Sequence, residues 1–206
     1  MSDTTEVSRR AVEGGFADPV FDAQAVFASL LKAMSRPGTI VDLGPRCAPP
    51  APLSPAQGAI LCALADADTP VSIEGADDVL AAWLGFQTSA RLAEPDKARF
   101  AVTPRFDGTA LETFALGTLA YPDRSATLLV EVLSLDSGEP LRLAGPGISG
   151  QAVIRIAGLG EAFVTARRAN RALDPCGLDL ILTAGTQALC LPRSTIVTEG
   201  SRCTLP

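Results

Sequence analysis

The chain has 206 residues, 47% hydrophobic and 19% charged, with 17 Lys and Arg against 23 Asp and Glu. The resulting charge of −6 argues against nucleic acid as a partner, because phosphate neutralisation by basic side chains supplies most of that affinity. No apolar run approaches the roughly 18–20 residues that span a bilayer, and the absence of histidine excludes Ser-His and Cys-His dyads and removes the commonest transition-metal ligand.

The N-terminal stretch to about Gly15 is polar and lacks the apolar core of a signal peptide, so an arm over residues 1–15 and a cytoplasmic location are expected. A helix is expected from about Asp22, with Val26, Leu30 and Met34 four apart and Phe27 and Leu31 beside them. Pro37 disfavours helical geometry at Arg36, which stops the helix at Ser35. Gly38 allows the turn into a strand over Thr39–Leu43. Four prolines in Pro45-Arg-Cys-Ala-Pro-Pro-Ala-Pro52 make an extended connector. Ser54-Pro-Ala-Gln57 is a capping box with proline at the first helical position, predicting a helix over Pro55–Ala65.

Further on, Val71–Ile73 reads as a strand, Ala76–Leu84 as a helix and Arg99–Thr103 as a strand. Ala126–Leu135 is apolar nearly throughout, as in a strand covered on both faces. Asp136-Ser-Gly138 is a turn, Leu141–Leu143 a strand and Glu161–Arg171 a helix. Gly177–Thr183 and Ala188–Leu191 flank a turn and read as a β-hairpin. Interleaved helices and strands favour α/β organisation, a mixed sheet flanked by helices in one domain over residues 16–198, with a tail over 199–206.

Few residues suggest chemistry. The five cysteines include no Cys-x-x-Cys pair, which speaks against a structural zinc site; Cys62 and Cys190 read as core residues, and Cys176 sits in a Pro-Cys-Gly turn. Only two lysines exist, Lys32 and Lys97, so Schiff-base chemistry would have to use one of them. Gly145-Pro-Gly147 follows a strand but lacks the remainder of either phosphate-loop fingerprint. Arg193, Ser194 and Thr195 offer a guanidinium and two hydroxyls suited to an oxyanion, and Lys32, Ser35 and Arg36 could hold an anion or a partner in the same way. Arg167, Arg168 and Arg171 form a basic cluster in an acidic chain, which fits a solvated face or an acidic partner surface. No nucleophile comes with a base, and no metal or cofactor motif is complete.

Several segments, in order, resemble the H subunit of the bacterial carbon–phosphorus lyase system. They are Phe27 with Leu30-Leu-Lys-Ala-Met-Ser-Arg-Pro-Gly38, Leu64-Ala-Asp-Ala-Asp-Thr-Pro70, Phe100-Ala-Val-Thr103, Gly117-Thr118, Ala126-Thr-Leu128, Leu141-Arg-Leu-Ala-Gly-Pro-Gly-Ile148, Gly177-Leu-Asp-Leu-Ile-Leu-Thr183 and Leu191-Pro-Arg-Ser-Thr195. The resemblance implies a homodimer whose fold is similar to pyridoxal-phosphate-dependent transferases, without that cofactor or any other. It also implies partnership with the G, I and J subunits, and with L, in converting ATP and methylphosphonate to ribose 1-methylphosphonate 5-triphosphate. The missing catalytic equipment fits an accessory role. The alternatives are a stand-alone transferase-like protein that binds a phosphorylated small molecule, and a pure assembly scaffold. The resemblance carries over no catalytic residue.

Overall fold

Thr127-Leu-Leu-Val-Glu131 and Asp179-Leu-Ile-Leu-Thr-Ala184 are apolar on consecutive residues, so both faces of each strand need a cover. The computed structural model, which describes residues 11–104, 106 and 111–200, supplies one on each side. These segments are β4 and β7, at the centre of a six-stranded sheet. The other strands are β1 (Ile40–Asp42), β2 (Val71–Ile73), β3 (Phe100–Thr103) and β8 (Gln187–Leu191). Their order is β1-β8-β7-β4-β3-β2. Strands β2, β3, β4 and β7 run parallel, while β8 and β1 are antiparallel additions at one edge. Alternate side chains divide between the faces, as the pleat requires. Leu129, Ile181 and Cys190 join one apolar cluster and Leu128, Leu180 and Leu189 the other. The fold is thus α/β with a mixed sheet.

Helices α1 (Pro19–Ser35), α2 (Pro55–Leu64) and α3 (Asp78–Thr88) cover the first face through Val26, Leu30, Ile60, Leu80 and Trp83. The second face meets α4 (Phe163–Arg171) and a three-stranded antiparallel sheet. That sheet has the order β6 (Ala152–Arg155), β5 (Pro140–Ala144), β9 (Ile196–Glu199). Each fully buried Leu or Val in these layers contributes roughly 1.5–3 kcal/mol.

Most elements fall where sequence reasoning expects them, and the departures have local causes. The first helix begins at Pro19, not near Asp22, because Asp18 accepts the Phe21 N–H as N-cap and proline fits the first helical position. Asp22 instead accepts the Asp18 N–H at 3.1 Å and pairs with Arg46 at 2.6 Å. Phe27 and Leu31, expected beside the buried stripe, are 52% and 59% exposed. The α2 capping box forms as expected. Asp77 caps α3, which runs on to Thr88 and ends on Ser89 in left-handed geometry. Strand β4 stops at Glu131 rather than at Leu135: beyond it the Val132 N–H still reaches Thr183, but the Leu133 N–H bonds to Ala157 beside the small sheet. The chain changes sheets there, and Leu133 turns outward.

Of the expected arm, residues 11–14 are tied to the body, and residues 1–10 lie outside the described residues. Trp83 Nε1 donates to the Glu13 carbonyl, and Gln87 Nε2 donates to the carbonyls of Ala11 and Val12. Of the expected tail, Glu199 ends β9, and residues 201–206 lie outside the described set. Among the described residues, no helix is long and apolar enough to cross a membrane.

Candidate functional site: three loops at one junction

Three of the segments singled out in the sequence lie far apart in the chain, and the fold brings them together. Gly145 ends β5 beside Ala144, which pairs with Ile196 of β9. A Cβ at Gly145 would stand 3.1 Å from the Ser194 carbonyl oxygen, and one at Gly147 only 2.3 Å from that of Ser35. At both positions φ is strongly positive, +129° and +79°, where an L side chain is strained. Gly145-Pro-Gly147 is therefore a close-packing turn, touching the Ser35-Arg36-Pro37-Gly38 corner on one side and the Pro192-Arg-Ser-Thr195 turn on the other. Gly38 continues the junction by lying against Leu143 and Ile154 of the small sheet.

The side chains at this junction divide into two groups. Arg193 is fully engaged. Its Nε donates to Asp179 Oδ1, its Nη2 to Asp179 Oδ2 and Ser125 Oγ, and its Nη1 to the carbonyls of Pro122 and Pro175. A guanidinium has five N–H donors, so every one has an acceptor within the protein and none is left over for an oxyanion. Ser194 contributes its carbonyl to Arg171 Nη1 at 2.6 Å. Thr195 is buried, and its Oγ1 has no partner among the described residues. The second group comprises Lys32, Ser35 and Arg36, all exposed at the end of α1. The Ser35 hydroxyl donates to the Lys32 carbonyl at 3.0 Å, a helix-end bond.

The basic cluster on α4 does not form a single surface. Arg168 is exposed and Arg171 half-buried, but Arg167 is 1% exposed. Spacing alone places Arg167 and Arg171 on one helix face, and they do share one; that face points inward. Arg167 Nη2 donates to the carbonyls of Pro192 and Thr195 at 2.6 and 3.2 Å, so both arginines hold the Pro192–Thr195 turn from beneath. Burial pulls the Arg167 guanidinium down to about 10, against the attraction of Asp179, with Arg171 repelling it in the same direction as burial. Its burial takes Arg167 out of any docking surface and leaves Arg168 as the outward member. Asn170, also buried, exchanges two hydrogen bonds with the Leu178 backbone, at 2.8 and 2.9 Å. Asp179, Ser125 and Asn170 were not singled out from the sequence, since only the tertiary fold sets them against Arg193 and Leu178.

Both lysines, Lys32 and Lys97, are exposed. Among the described residues, no three His, Cys, Asp or Glu side chains gather closely enough to hold a metal ion. What the junction does physically is lock the small sheet, the large sheet and the end of α1 into one corner. Beside that corner, α1 presents an unusual outer face. Val20, Phe21, Phe27 and Leu31 are 62%, 70%, 52% and 59% exposed.

Known proteins match this chain over nearly its whole length. Residues 14–198 match the family of bacterial phosphonate metabolism proteins, PhnH. A protein of Rhizobium meliloti (strain 1021) named alpha-D-ribose 1-methylphosphonate 5-triphosphate synthase subunit PhnH is 48% identical over 191 residues, covering 88% of this chain and 93% of that protein. A protein of Stutzerimonas stutzeri named as a candidate C-P lyase subunit protein, HtxG, is 33% identical over 184 residues, covering 84% of each. All three junction loops, and the arginines that hold them, fall inside the matched span, and the chain belongs to the PhnH family of bacterial phosphonate metabolism proteins.

Proposed function

We propose that this chain is an accessory subunit of the carbon–phosphorus lyase system, supporting formation of ribose 1-methylphosphonate 5-triphosphate from ATP and methylphosphonate through assembly with other subunits. Family membership supports the pathway. The accessory role rests on the outer face of α1: four large apolar side chains lie in water on a helix whose opposite face is already buried against the sheet. Exposed apolar area of this kind on a folded chain marks a protein–protein surface.

The face is also self-complementary. Val20, Gln24, Phe27 and Leu31 follow helical spacing on the exposed side, over about 16 Å of helix. In an antiparallel pairing of two copies, Val20 meets Leu31 and Gln24 meets Phe27. The same register sets exposed Asp18 of each copy beside Lys32 of the other, with Arg36 a turn further on. Such an isologous contact is the ordinary form of a two-fold dimer, and it gives Lys32 and Arg36 the role of partner contacts. In this reading the protein is a cytoplasmic homodimer in isolation. It offers the same apolar face, with Arg168, to other subunits of the complex (G, I, J and L). The fold likeness to pyridoxal-phosphate-dependent transferases without the cofactor belongs to the same reading, supported by the exposure of both lysines.

The test is a Phe27→Glu, Leu31→Glu double variant. Wild type should sediment as a dimer and co-purify with the other subunits. The variant should keep its circular dichroism, sediment as a monomer and lose most co-purification. Turnover of ATP and methylphosphonate by the isolated wild-type chain would overturn the accessory role, and unchanged assembly of the variant would remove α1 as the contact.

A further inference from the structure

The chain carries a thiol pair that the assembly function does not use. Cys47, on the proline-rich connector between β1 and α2, has its Sγ 3.9 Å from that of Cys62 on α2. Cys47 is buried and Cys62 only half-buried, so the pair lies just beneath the surface. The Cys47 thiol donates to the Gly14 carbonyl at 3.1 Å. Its sulfur is thus left to accept from the Cys62 thiol. The pair occurs once among the described residues: Cys190 is enclosed in β8, and Cys176 lies in the turn before β7.

We propose that Cys47 and Cys62 are an oxidative modification site, closing to an intrachain disulfide when the protein meets a hydroperoxide. A disulfide holds its sulfurs about 2.05 Å apart, so closure needs less than 2 Å of approach. Cys47 can supply it, because it sits on a connector rather than in a helix or strand. The Cys62 S–H, donating to the Cys47 sulfur 3.9 Å away, favours the Cys47 thiolate against the opposing effect of burial, and the same contact holds the proton on Cys62. Cys47 is therefore the attacking sulfur. Its sulfur bonds to one peroxide oxygen, the O–O bond breaks, and the departing oxygen takes a proton to leave as water or, from an organic hydroperoxide, as an alcohol. The Cys62 sulfur then attacks the Cys47 sulfenic acid. The S–S bond forms, the S–O bond breaks, and hydroxide leaves with the Cys62 proton as water. Two electrons pass from the two sulfurs to the peroxide, and no further reductant or oxidant is needed.

Closure has a structural consequence. It takes away the hydrogen bond from Cys47 to Gly14, one of the ties on residues 11–14. The Ala48 N–H to the same carbonyl and the Trp83 and Gln87 bonds remain. Oxidation should therefore loosen this segment without releasing it.

The experiment uses the full chain, reduced and then treated with hydrogen peroxide. Peptide mapping without reductant should find the Cys47 and Cys62 peptides linked, with a loss of two hydrogens in mass that dithiothreitol reverses. Limited proteolysis within residues 11–14 should be faster in the oxidised protein. Cys62→Ser should abolish the link and leave oxidised Cys47 as a sulfenic or sulfinic acid, and Cys176→Ser should leave the link intact. Peroxide-treated wild type with Cys47 and Cys62 unlinked, or with either joined to a different cysteine, would overturn the proposal. Wild-type mapping decides the matter even if Cys62→Ser fails to fold.

Discussion

Asp179 and Arg193 close the open end of the β7–β8 hairpin as a ring of three hydrogen bonds. Asp179 Oδ1 accepts the Arg193 backbone N–H at 2.7 Å and the Nε–H at 3.3 Å, while Oδ2 accepts Nη2–H at 2.6 Å. Asp179 is the first residue of β7, and Arg193 follows β8, so the contact fixes the hairpin where its turn cannot. The remaining Arg193 donors reach Pro122, Pro175 and Ser125, which join the approach to β4 and the approach to β7 to the same point.

Removing the guanidinium should therefore cost stability. Arg193→Ala leaves Asp179 with only the backbone N–H of residue 193, and no counter-charge from that side chain, at a site where both side chains are about one-fifth exposed. Breaking a fully buried pair costs several kcal/mol, and partial exposure brings this to about 2 kcal/mol. For a chain of this size the melting temperature should fall by roughly 4–8 °C. Arg193→Lys should recover little of this, because an ammonium cannot reproduce a planar five-donor fork. Thermal unfolding of the two variants checks both statements.

What could be read in the sequence was mainly local. The capping box at Ser54, the Pro37 stop and the hairpin around Gly185 depend on neighbours in the chain, and they appear as expected. The two-sided apolar run of β4 correctly announces a strand at the centre of a covered sheet. What depends on distant contacts was not legible. Arg167 and Arg193 look alike in sequence to surface cations, and only the fold shows Arg167 Nη2 turned onto two carbonyls and the Arg193 fork onto carbonyls and a carboxylate. Helical spacing sets Phe27 and Leu31 beside the buried stripe of α1, because it gives relative positions around a helix and not the width of the covered arc. Cys47 and Cys62 are separate thiols in the sequence, and only the connector's return onto α2 pairs them.

Gly147 should not tolerate a methyl group. A Cβ there would overlap the Ser35 carbonyl oxygen and come within 2.9 Å of Pro37 Cδ, at a φ of +79°. Neither neighbour is the free end of a flexible side chain. Backbone strain alone is worth about 1–3 kcal/mol, and the clash adds to it. Gly147→Ala should lower the urea midpoint well beyond the change from Gly160→Ala, where a Cβ meets open space.

The acid limb of the stability profile should carry a signature of Asp22. The Asp18 N–H, followed by Arg46, holds its carboxyl below the ordinary carboxylate range, with burial opposing them. A carboxyl depressed in the folded state binds its proton more weakly there than in the unfolded chain, where it titrates as an ordinary carboxylate. Its contribution is therefore complete above about pH 5 and is lost as pH falls through the lower, folded value. In urea unfolding series, the stability gap between wild type and Asp22→Asn should be constant from pH 7 to 5 and close progressively below pH 4. A gap that stays constant through the acid range would mean that Arg46 and the Asp18 N–H do not favour the charged form.

The antiparallel pairing proposed for α1 makes a sharper demand than the loss of apolar contact. If Asp18 of one copy faces Lys32 of the other, Asp18→Lys sets two cations together at both ends of a two-fold contact and should weaken the dimer. Lys32→Asp should weaken it equally by the opposite repulsion. Asp18 is also the N-cap of α1, so Asp18→Lys carries a folding cost of about 1 kcal/mol, which an Asp18→Glu control isolates by keeping the charge and losing the cap. The double variant Asp18→Lys, Lys32→Asp restores opposite charges across the axis and should recover dimerisation to near the Asp18→Glu level. Rim charges act mainly through association rate and salt dependence, so the single variants should differ from wild type most at low ionic strength. Dissociation constants from sedimentation equilibrium at two salt concentrations separate this register from one in which Asp18 and Lys32 never meet: without the contact the double variant gains nothing over the singles.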